Sequence, residues 1–420
     1  NHIGDWGTPY GKLFYAYKVH LDAEALKNDP LGELERLYKL GSNLANEDES
    51  VLEECRQELV QLQAGETESI ALWKRVNELS IQGLTEVYDQ LDVTYDYYLG
   101  ESFYRDQVAA VYRELEDCGL AEESKGALVV FHPEHKRYAE QPFIIRKSDG
   151  ASNYATTDLA TMLYRHEHFK ATRVIVVTDD RQKDHFEQLD LTTAKWFEKT
   201  GRKRPIFNHV MFGKINGDDG KPIKSRSGDP IRLKALINEA VERAYAIVKE
   251  KNPDFPEDEL ENIAQTVGVS SIKYADLSTN RTSDYIFSWD KLLAFEGNTA
   301  PYLLYAASRI QSIFRKIDPT ELTDLESKAS PFETDEEMTL ARKILEFVGA
   351  LQVTIETLRP HMLSTYLYEL SGAFSGFYNA NKVIVEDPGQ KARRIILCQR
   401  TLLALEAGLS LLGIKTLKRM

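Results

Sequence analysis

Tyr154 and Asp158 stand four residues apart in Tyr154-Ala155-Thr156-Thr157-Asp158, which puts a phenol ring and a carboxylate on one face if the segment is helical. A guanidinium is a flat cation that pairs with a carboxylate through charge-assisted, often bidentate hydrogen bonds, and an aromatic ring can cover its face. Asp near a helix start is also a good capping residue, so the pair alone leaves both readings open. Further on, Val176-Val177 runs into Thr178-Asp179-Asp180-Arg181-Gln182-Lys183-Asp184-His185-Phe186, an apolar strand passing into a polar loop and then a helix. Ligands of open α/β sheets bind at such carboxyl ends of strands, which makes Gln182 and His185 candidates. Gly220-Lys221-Pro222-Ile223-Lys224-Ser225-Arg226-Ser227-Gly228-Asp229 is a Gly-bounded loop with three cations, for which a bare basic surface loop is the plainer reading. Tyr302 and Tyr305 lie three apart in Glu296-Gly297-Asn298-Thr299-Ala300-Pro301-Tyr302-Leu303-Leu304-Tyr305, at the start of a helical pattern. Rings on one helix face can stack on splayed bases of single-stranded RNA, although any one Tyr can equally pack in a core.

These groups need elements to hold them. From about Leu21 to Leu91 the chain is rich in Glu, Leu, Lys and Gln, with Leu52, Leu59 and Leu62 at helical spacing, so a helical segment is expected. Short apolar and β-branched runs follow at Ala127 to Phe131, Pro142 to Ile145, Val174 to Val177 and Val210 to Phe212. They alternate with helical stretches at Thr157 to His168 and His185 to Thr200. That alternation predicts a parallel sheet flanked by helices. The Pro- and acid-rich stretch from Lys251 to Glu259 breaks the pattern and is the expected domain boundary, after which everything reads as helix. Ile395, Ile396, Leu402, Leu403, Leu409 and Leu412 are read as one apolar helix face that Gly413 ends. A second acidic linker is expected from Thr320 to Glu337. There is no internal repeat and no low-complexity tract.

Bulk properties narrow the class. A chain of 420 residues, 42% of them hydrophobic, suffices for two or three domains with their own cores. No apolar run approaches the roughly 18 residues that cross a bilayer, so no membrane span is expected. The opening Asn1-His2-Ile3-Gly4-Asp5-Trp6 has no Met, basic stretch or apolar core, and is read as a cut rather than a secretory leader. Cys55, Cys118 and Cys398 are far apart, which predicts reduced thiols rather than zinc or redox chemistry. A net charge of −14 argues against indiscriminate coating of nucleic acid. The last thirty residues, however, carry Lys391, Arg393, Arg394, Arg400, Lys415, Lys418 and Arg419 against Glu406, and predict a positive end on which a polyanion could dock.

Taken in order, the blocks carry a resemblance. Gly4-Asp5-Trp6-Gly7-Thr8 resembles a segment that follows the first half of the nucleotide fold in arginyl-tRNA synthetases, and Tyr154 with Asp158 matches the pair that recognises the arginine side chain there. Gln182 and His185 match that family's Gln-x-x-His element. The Lys221 to Arg226 loop resembles the second class I signature, Lys-Met-Ser-Lys-Ser, in a divergent form with Ser225 where the signature has its second Lys. The match is densest from Ser270 to Tyr305, and Tyr378 and Met420 match further positions that read the anticodon. The other class I signature, His-x-x-His, and the family's amino-terminal tRNA-elbow domain are absent. His132-Pro133-Glu134-His135 imitates that spacing from a loop far downstream and is read as a decoy.

The resemblance implies an α/β fold: a partial Rossmann-like class I synthetase catalytic domain over residues 1–255, with a helical insertion at about 20–120, then an all-α anticodon-binding bundle over 256–420. It implies an arginine-tRNA ligase in the cytoplasm, a monomer that uses ATP with Mg2+ and tRNA(Arg), with no membrane or DNA partner and no protein-bound metal. Tyr154, Asp158 and Gln182 would hold arginine, and His185, Met211 and Phe212 would bind ATP. Lys221, Lys224, Ser225 and Arg226 would be catalytic, with the cations neutralising charge on the triphosphate as pyrophosphate leaves. Tyr302, Tyr305, Tyr378 and Met420 would read the anticodon. The competing expectation is a catalytically incomplete fragment that only binds tRNA. A metal hydrolase using His132, His135, His166 and His168 lacks ordered carboxylate companions.

Overall fold

The computed structural model describes residues 1–148, 154–217, 220–221 and 232–420. They form two compact units, residues 1–89 with 93–210, and residues 90–92 with 211–420.

The first unit opens on α1 (Pro9–His20), α2 (Ala23–Asn28), α3 (Pro30–Glu47), α4 (Glu49–Gln63) and α5 (Thr67–Gln90), the helical run expected from periodicity. Asp22, Asp29 and Asp48 accept backbone N–H groups at the starts of α2, α3 and α4, which satisfies donors that a helix leaves open. Leu13, Phe14, Leu37, Leu62 and Val76 give these helices their own core. Next come α6 (Glu101–Tyr104), α7 (Val108–Asp117), β1 (Ala121–Ser124), β2 (Ala127–Val130), β3 (Phe143–Arg146), α8 (Tyr154–Glu167), β4 (Arg173–Asp179), α9 (Lys183–Lys199) and β5 (Ile206–Phe212). Leu128, Val130, Ile145, Leu159, Met162, Trp196 and Phe197 from β2, β3, α8 and α9 share a second core.

The expected parallel sheet is not what β1, β2 and β3 make: they pair antiparallel in that order. For β1 and β2 the reason is local. Lys125 and Gly126 have φ of 52° and 80°, and positive φ at both central residues makes the tight two-residue turn that joins antiparallel neighbours. β4 pairs with β5 in a separate two-stranded sheet.

The second unit contains β6 (Ile215–Asn216), α10 (Leu233–Lys251), α11 (Glu257–Leu277), β7 (Tyr285–Ile286), α12 (Trp289–Leu292), α13 (Ala300–Phe314), α14 (Leu325–Lys328), α15 (Asp335–Leu345), α16 (Phe347–Thr357), α17 (Pro360–Ala380) and α18 (Pro388–Leu411). β6 and β7 pair in parallel. The Pro-rich stretch from Lys251 to Glu259 joins α10 to α11, which pack against each other inside this unit. One large core runs through Ala264, Leu304, Leu370, Phe374, Leu405 and Leu409. Gly413, with φ 70°, follows α18 as expected of a left-handed helix stop. Leu403 departs from the expected apolar face: it is 58% exposed, because the helical repeat carries it off the stripe of Ile395, Leu402 and Leu409.

The expected positive carboxyl-terminal end is corrected by its pairing. Lys391 meets Glu321, Arg400 meets Glu326, Arg419 meets Glu259, Lys415 meets Asp92, and Arg393 and Arg394 are buried against Glu337. Acids from elsewhere in the chain fold back onto these cations, and composition carries no sign of that pairing.

Candidate active site and nucleic-acid interface

α8 presents Tyr154 in its first turn, 67% exposed, and Asp158 one turn later, so ring and carboxylate do share a face. Asp158 Oδ2 lies 2.6 Å from His185 Nε2, and both side chains keep part of their surface in solvent. Tyr154, Asp184, His185 and Gln188 line an open cavity of about 270 Å³ together with Gln141 to Ile144, so α8, α9 and the start of β3 converge on it. Gln182 is exposed at the start of α9 and is not among the lining residues.

A carboxylate that the spacing did not single out belongs here. Glu101, at the start of α6, has its carboxyl pushed up to about 7 by burial and by the negative charges of Asp158 and Asp5. The amino-terminal block holds it there. Glu101 N–H donates to the Ile3 carbonyl at 3.0 Å, and Asp5 accepts from the Ser102 backbone N–H at 2.8 Å and the Ser102 hydroxyl at 2.6 Å. A Cβ on Gly100 would come within 2.3 Å of the Asp5 carboxyl carbon, so only glycine allows this approach. Trp6 packs edge-on against Trp73, whose indole N–H donates to the Asp5 carbonyl, and thereby fixes the block to α5. Arg165 on α8 also feels the charge of Asp158 and is held below its ordinary pKa by burial. Carboxylates near enough to raise one another's pKa, as Asp158 and Asp5 do that of Glu101, suit an incoming cation.

In the second unit, Tyr305 and Tyr378 are 40% and 38% exposed, and Arg309 lies between them, its Cζ 4.7 Å from one ring centroid and 5.2 Å from the other. Arg309 was missed in the sequence although it stands four residues after Tyr305, the helical spacing that brings it under the ring. Tyr302 is half-buried against Tyr368 at 5.6 Å, and Met420 packs against the helical core. Tyr302 therefore helps seat α13 on α17. Met211, next to last in β5, has its carbonyl accepting from Arg281 Nη1 at 2.9 Å, and Phe212, which ends the strand, is 43% exposed. Lys221 is exposed, while Lys224, Ser225 and Arg226 lie outside the described residues.

His132 is fully buried with Nε2 3.1 Å from Thr192 Oγ1, and burial lowers its pKa to about 4, with Lys195 adding to the effect. It is a neutral core histidine. No group of three metal-ligating side chains occurs among the described residues.

The catalytic-domain family described as tRNA synthetases class I (R) matches residues 1–289, and the DALR anticodon binding domain matches residues 303–420. The arginine-tRNA ligase of Azotobacter vinelandii is 42% identical over all of this chain and 72% of its own length. That of Fusobacterium nucleatum is 43% identical with the same coverage. This chain belongs to the arginyl-tRNA synthetases. The synthetase fold agrees: the Plasmodium falciparum arginyl-tRNA synthetase superposes with a TM-score of 0.83 at 29% identity, covering all of this chain and 69% of that one. The Thermus thermophilus enzyme, at 23% identity, has the same fold with a TM-score of 0.81. In this synthetase the family's catalytic segment carries Asp158, His185 and Glu101, and the DALR segment carries Tyr305, Arg309 and Tyr378.

Glu101 gives the synthetase a testable pH dependence. A guanidinium bound beside it favours the carboxylate, so arginine uptake should release a proton and weaken as the pH falls below about 7. The KM for arginine is expected to rise towards tenfold per pH unit on the acid side and to level off above 8, and Glu101→Gln should flatten that dependence. An unaltered profile in Glu101→Gln would remove Glu101 from arginine binding. Without arginine the sign reverses: a carboxyl raised on folding stabilises the fold at low pH, and that contribution is lost as the pH rises through 7.

Proposed function

We propose that this chain joins arginine to tRNA(Arg) at the expense of ATP. The arginine carboxylate attacks the α-phosphorus of ATP and pyrophosphate leaves; a ribose hydroxyl of the tRNA then attacks the acyl carbon and AMP leaves. The observation that carries the reading is Asp158, 2.6 Å from His185 and close enough to Glu101 to raise its pKa, with His185 and the exposed Tyr154 lining the same open cavity. In this reading Tyr154 and Asp158 hold the side chain, Glu101 supplies the second negative charge, and Gln182, exposed just before α9, is assigned to the same substrate. His185 orients Asp158 and is assigned to ATP, an assignment that Met211 and Phe212 share by family resemblance. ATP enters with Mg2+, and Lys221, Lys224, Ser225 and Arg226 attend its triphosphate. Catalysis is then mostly positioning and charge stabilisation.

Tyr305 and Tyr378, with Arg309 between their faces, form a stacking surface for unpaired anticodon bases, helped by Tyr302 and Met420. On the same reading the protein is a monomer working in the cytoplasm. No described helix is long and apolar enough to cross a membrane.

Arginine-dependent exchange of labelled pyrophosphate into ATP, with tRNA present, is the deciding assay. Exchange that responds to arginine and not to lysine supports the reading. Retention of tRNA without any exchange would leave only a binding protein.

A further inference from the structure

The second unit contains a group of cations that the synthetase chemistry above does not use. Between α16 and α17 the chain turns through Leu358, whose φ of 52° is left-handed, and Arg359 then opens the 21-residue α17 with no side chain capping its first turn. Pro360 takes the first helical position and His361 the second, which places both arginine and histidine at the positive end of the helix dipole. Arg281 reaches the same place from the loop after α11. Its Nε donates to the Leu358 carbonyl at 3.1 Å and its Nη1 to the Met211 carbonyl at 2.9 Å. Two neutral carbonyls thus fix a guanidinium beside a second arginine and a histidine.

Nothing negative balances the group among the described residues. Burial and then the neighbouring Arg359 hold Arg281 below its ordinary pKa, while burial, Arg359 and Arg281 together hold His361 down. His361 Nδ1 is buried without a hydrogen-bond partner. Elsewhere in this unit cations find carboxylates, as Arg393 and Arg394 do with Glu337. Like charges gathered at a helix start, with a polar atom unsatisfied, are what an anion would stabilise.

We infer that Arg281, Arg359 and His361 form a phosphate-binding site for the sugar-phosphate backbone of the tRNA. The inference rests on the reading that this chain binds tRNA. Arg281 lies in the catalytic family segment and Arg359 and His361 in the DALR segment, and both segments meet here within the unit that also carries Tyr305 and Tyr378. A polyanion whose bases stack on those rings has phosphates to offer a site that reads charge and not sequence.

The test uses the full-length enzyme and a tRNA(Arg) transcript, with affinity measured by filter binding from low salt to 1 M. One phosphate contact contributes about 0.9 to the slope of log affinity against log salt. Arg359→Ala should therefore lose about 0.9 of slope and roughly eightfold in affinity at 0.1 M salt, with the loss vanishing near 1 M. Arg359→Lys should retain most of the slope, because charge and not shape is at issue. KM values for arginine and ATP at saturating tRNA should not change. A wild-type slope in Arg359→Ala overturns the site. An elevated ATP KM with unchanged tRNA affinity also overturns it, and assigns the cations to the triphosphate. A wild-type enzyme that catalyses exchange but shows no salt-dependent tRNA affinity refutes the site alone; absence of both exchange and tRNA binding brings down the functional reading with it.

Discussion

Asp158→Ala is expected to raise the KM for arginine by roughly two to four orders of magnitude while the protein stays folded. The estimate follows from stranding a bound guanidinium without its carboxylate, which costs about 3–5 kcal/mol, at about 1.4 kcal/mol per tenfold. Asp158 sits on α8, whose buried face of Leu159, Ala160 and Met162 holds it in place independently of the carboxylate, so folding should survive. The same change takes the 2.6 Å partner from His185, and two variants separate these effects. Asp158→Asn retains a polar partner for His185 but no charge, so it should share most of the arginine loss. Its preference for arginine over the neutral analogue citrulline should collapse, because a site without charge no longer favours a cation. Steady-state kinetics with both amino acids, alongside thermal melts, measure this. An arginine requirement in Asp158→Ala equal to that of the parent enzyme would exclude Asp158 from substrate recognition.

What could be read in the sequence, and what could not, follows the range over which each signal acts. Tyr154 and Asp158 were legible because a helix brings residues four apart onto one face, and α8 does so. Glu101 was not, because its place beside Asp158 depends on Ile3 and Asp5 holding a four-residue helix, and no spacing along the chain encodes that contact. The run of helices over residues 21–91 is plain from periodicity, whereas strand direction is not: apolar runs of four residues look alike in either sheet, and the Lys125-Gly126 turn marks direction for β1 and β2 alone. Arg309 follows the same helical rule as Asp158, but an arginine on a helix gives no sign of its own that a ring lies under it. The carboxyl-terminal arginines were counted as surface charge because composition assigns no partners; their acids lie in the stretch taken for a linker.

That stretch supplies the second large effect. Glu337 is completely buried, and its carboxylate accepts from Arg393 Nε at 3.0 Å, from Arg394 Nε at 2.7 Å and from the Glu333 N–H at 2.9 Å, while its own N–H completes a capping box with Thr334. Burial opposes the charge, but Arg394, the Glu333 amide and Arg393 outweigh it and hold the carboxyl below the usual range. Glu337→Ala would leave two arginines, 2% and 6% exposed, without their shared anion and would unlatch α15 from α18. Breaking a buried pair from one side costs about 3–5 kcal/mol, which for a unit of this size corresponds to roughly 10 °C of Tm. Replacing all three charges together, as Glu337→Leu, Arg393→Met and Arg394→Leu, should recover much of the loss, since packed apolar groups replace such clusters at little cost. The cluster also sets an acid limit: Glu337 lies below its ordinary pKa and Glu333 at about 2, so their contribution is present above the normal carboxylate range and fades as pH falls through the lowered values. If the single variant melts with the parent, the cluster does not hold α15 to α18. If the triple variant is less stable than the single one, the arginines have a structural role apart from their pairing with Glu337.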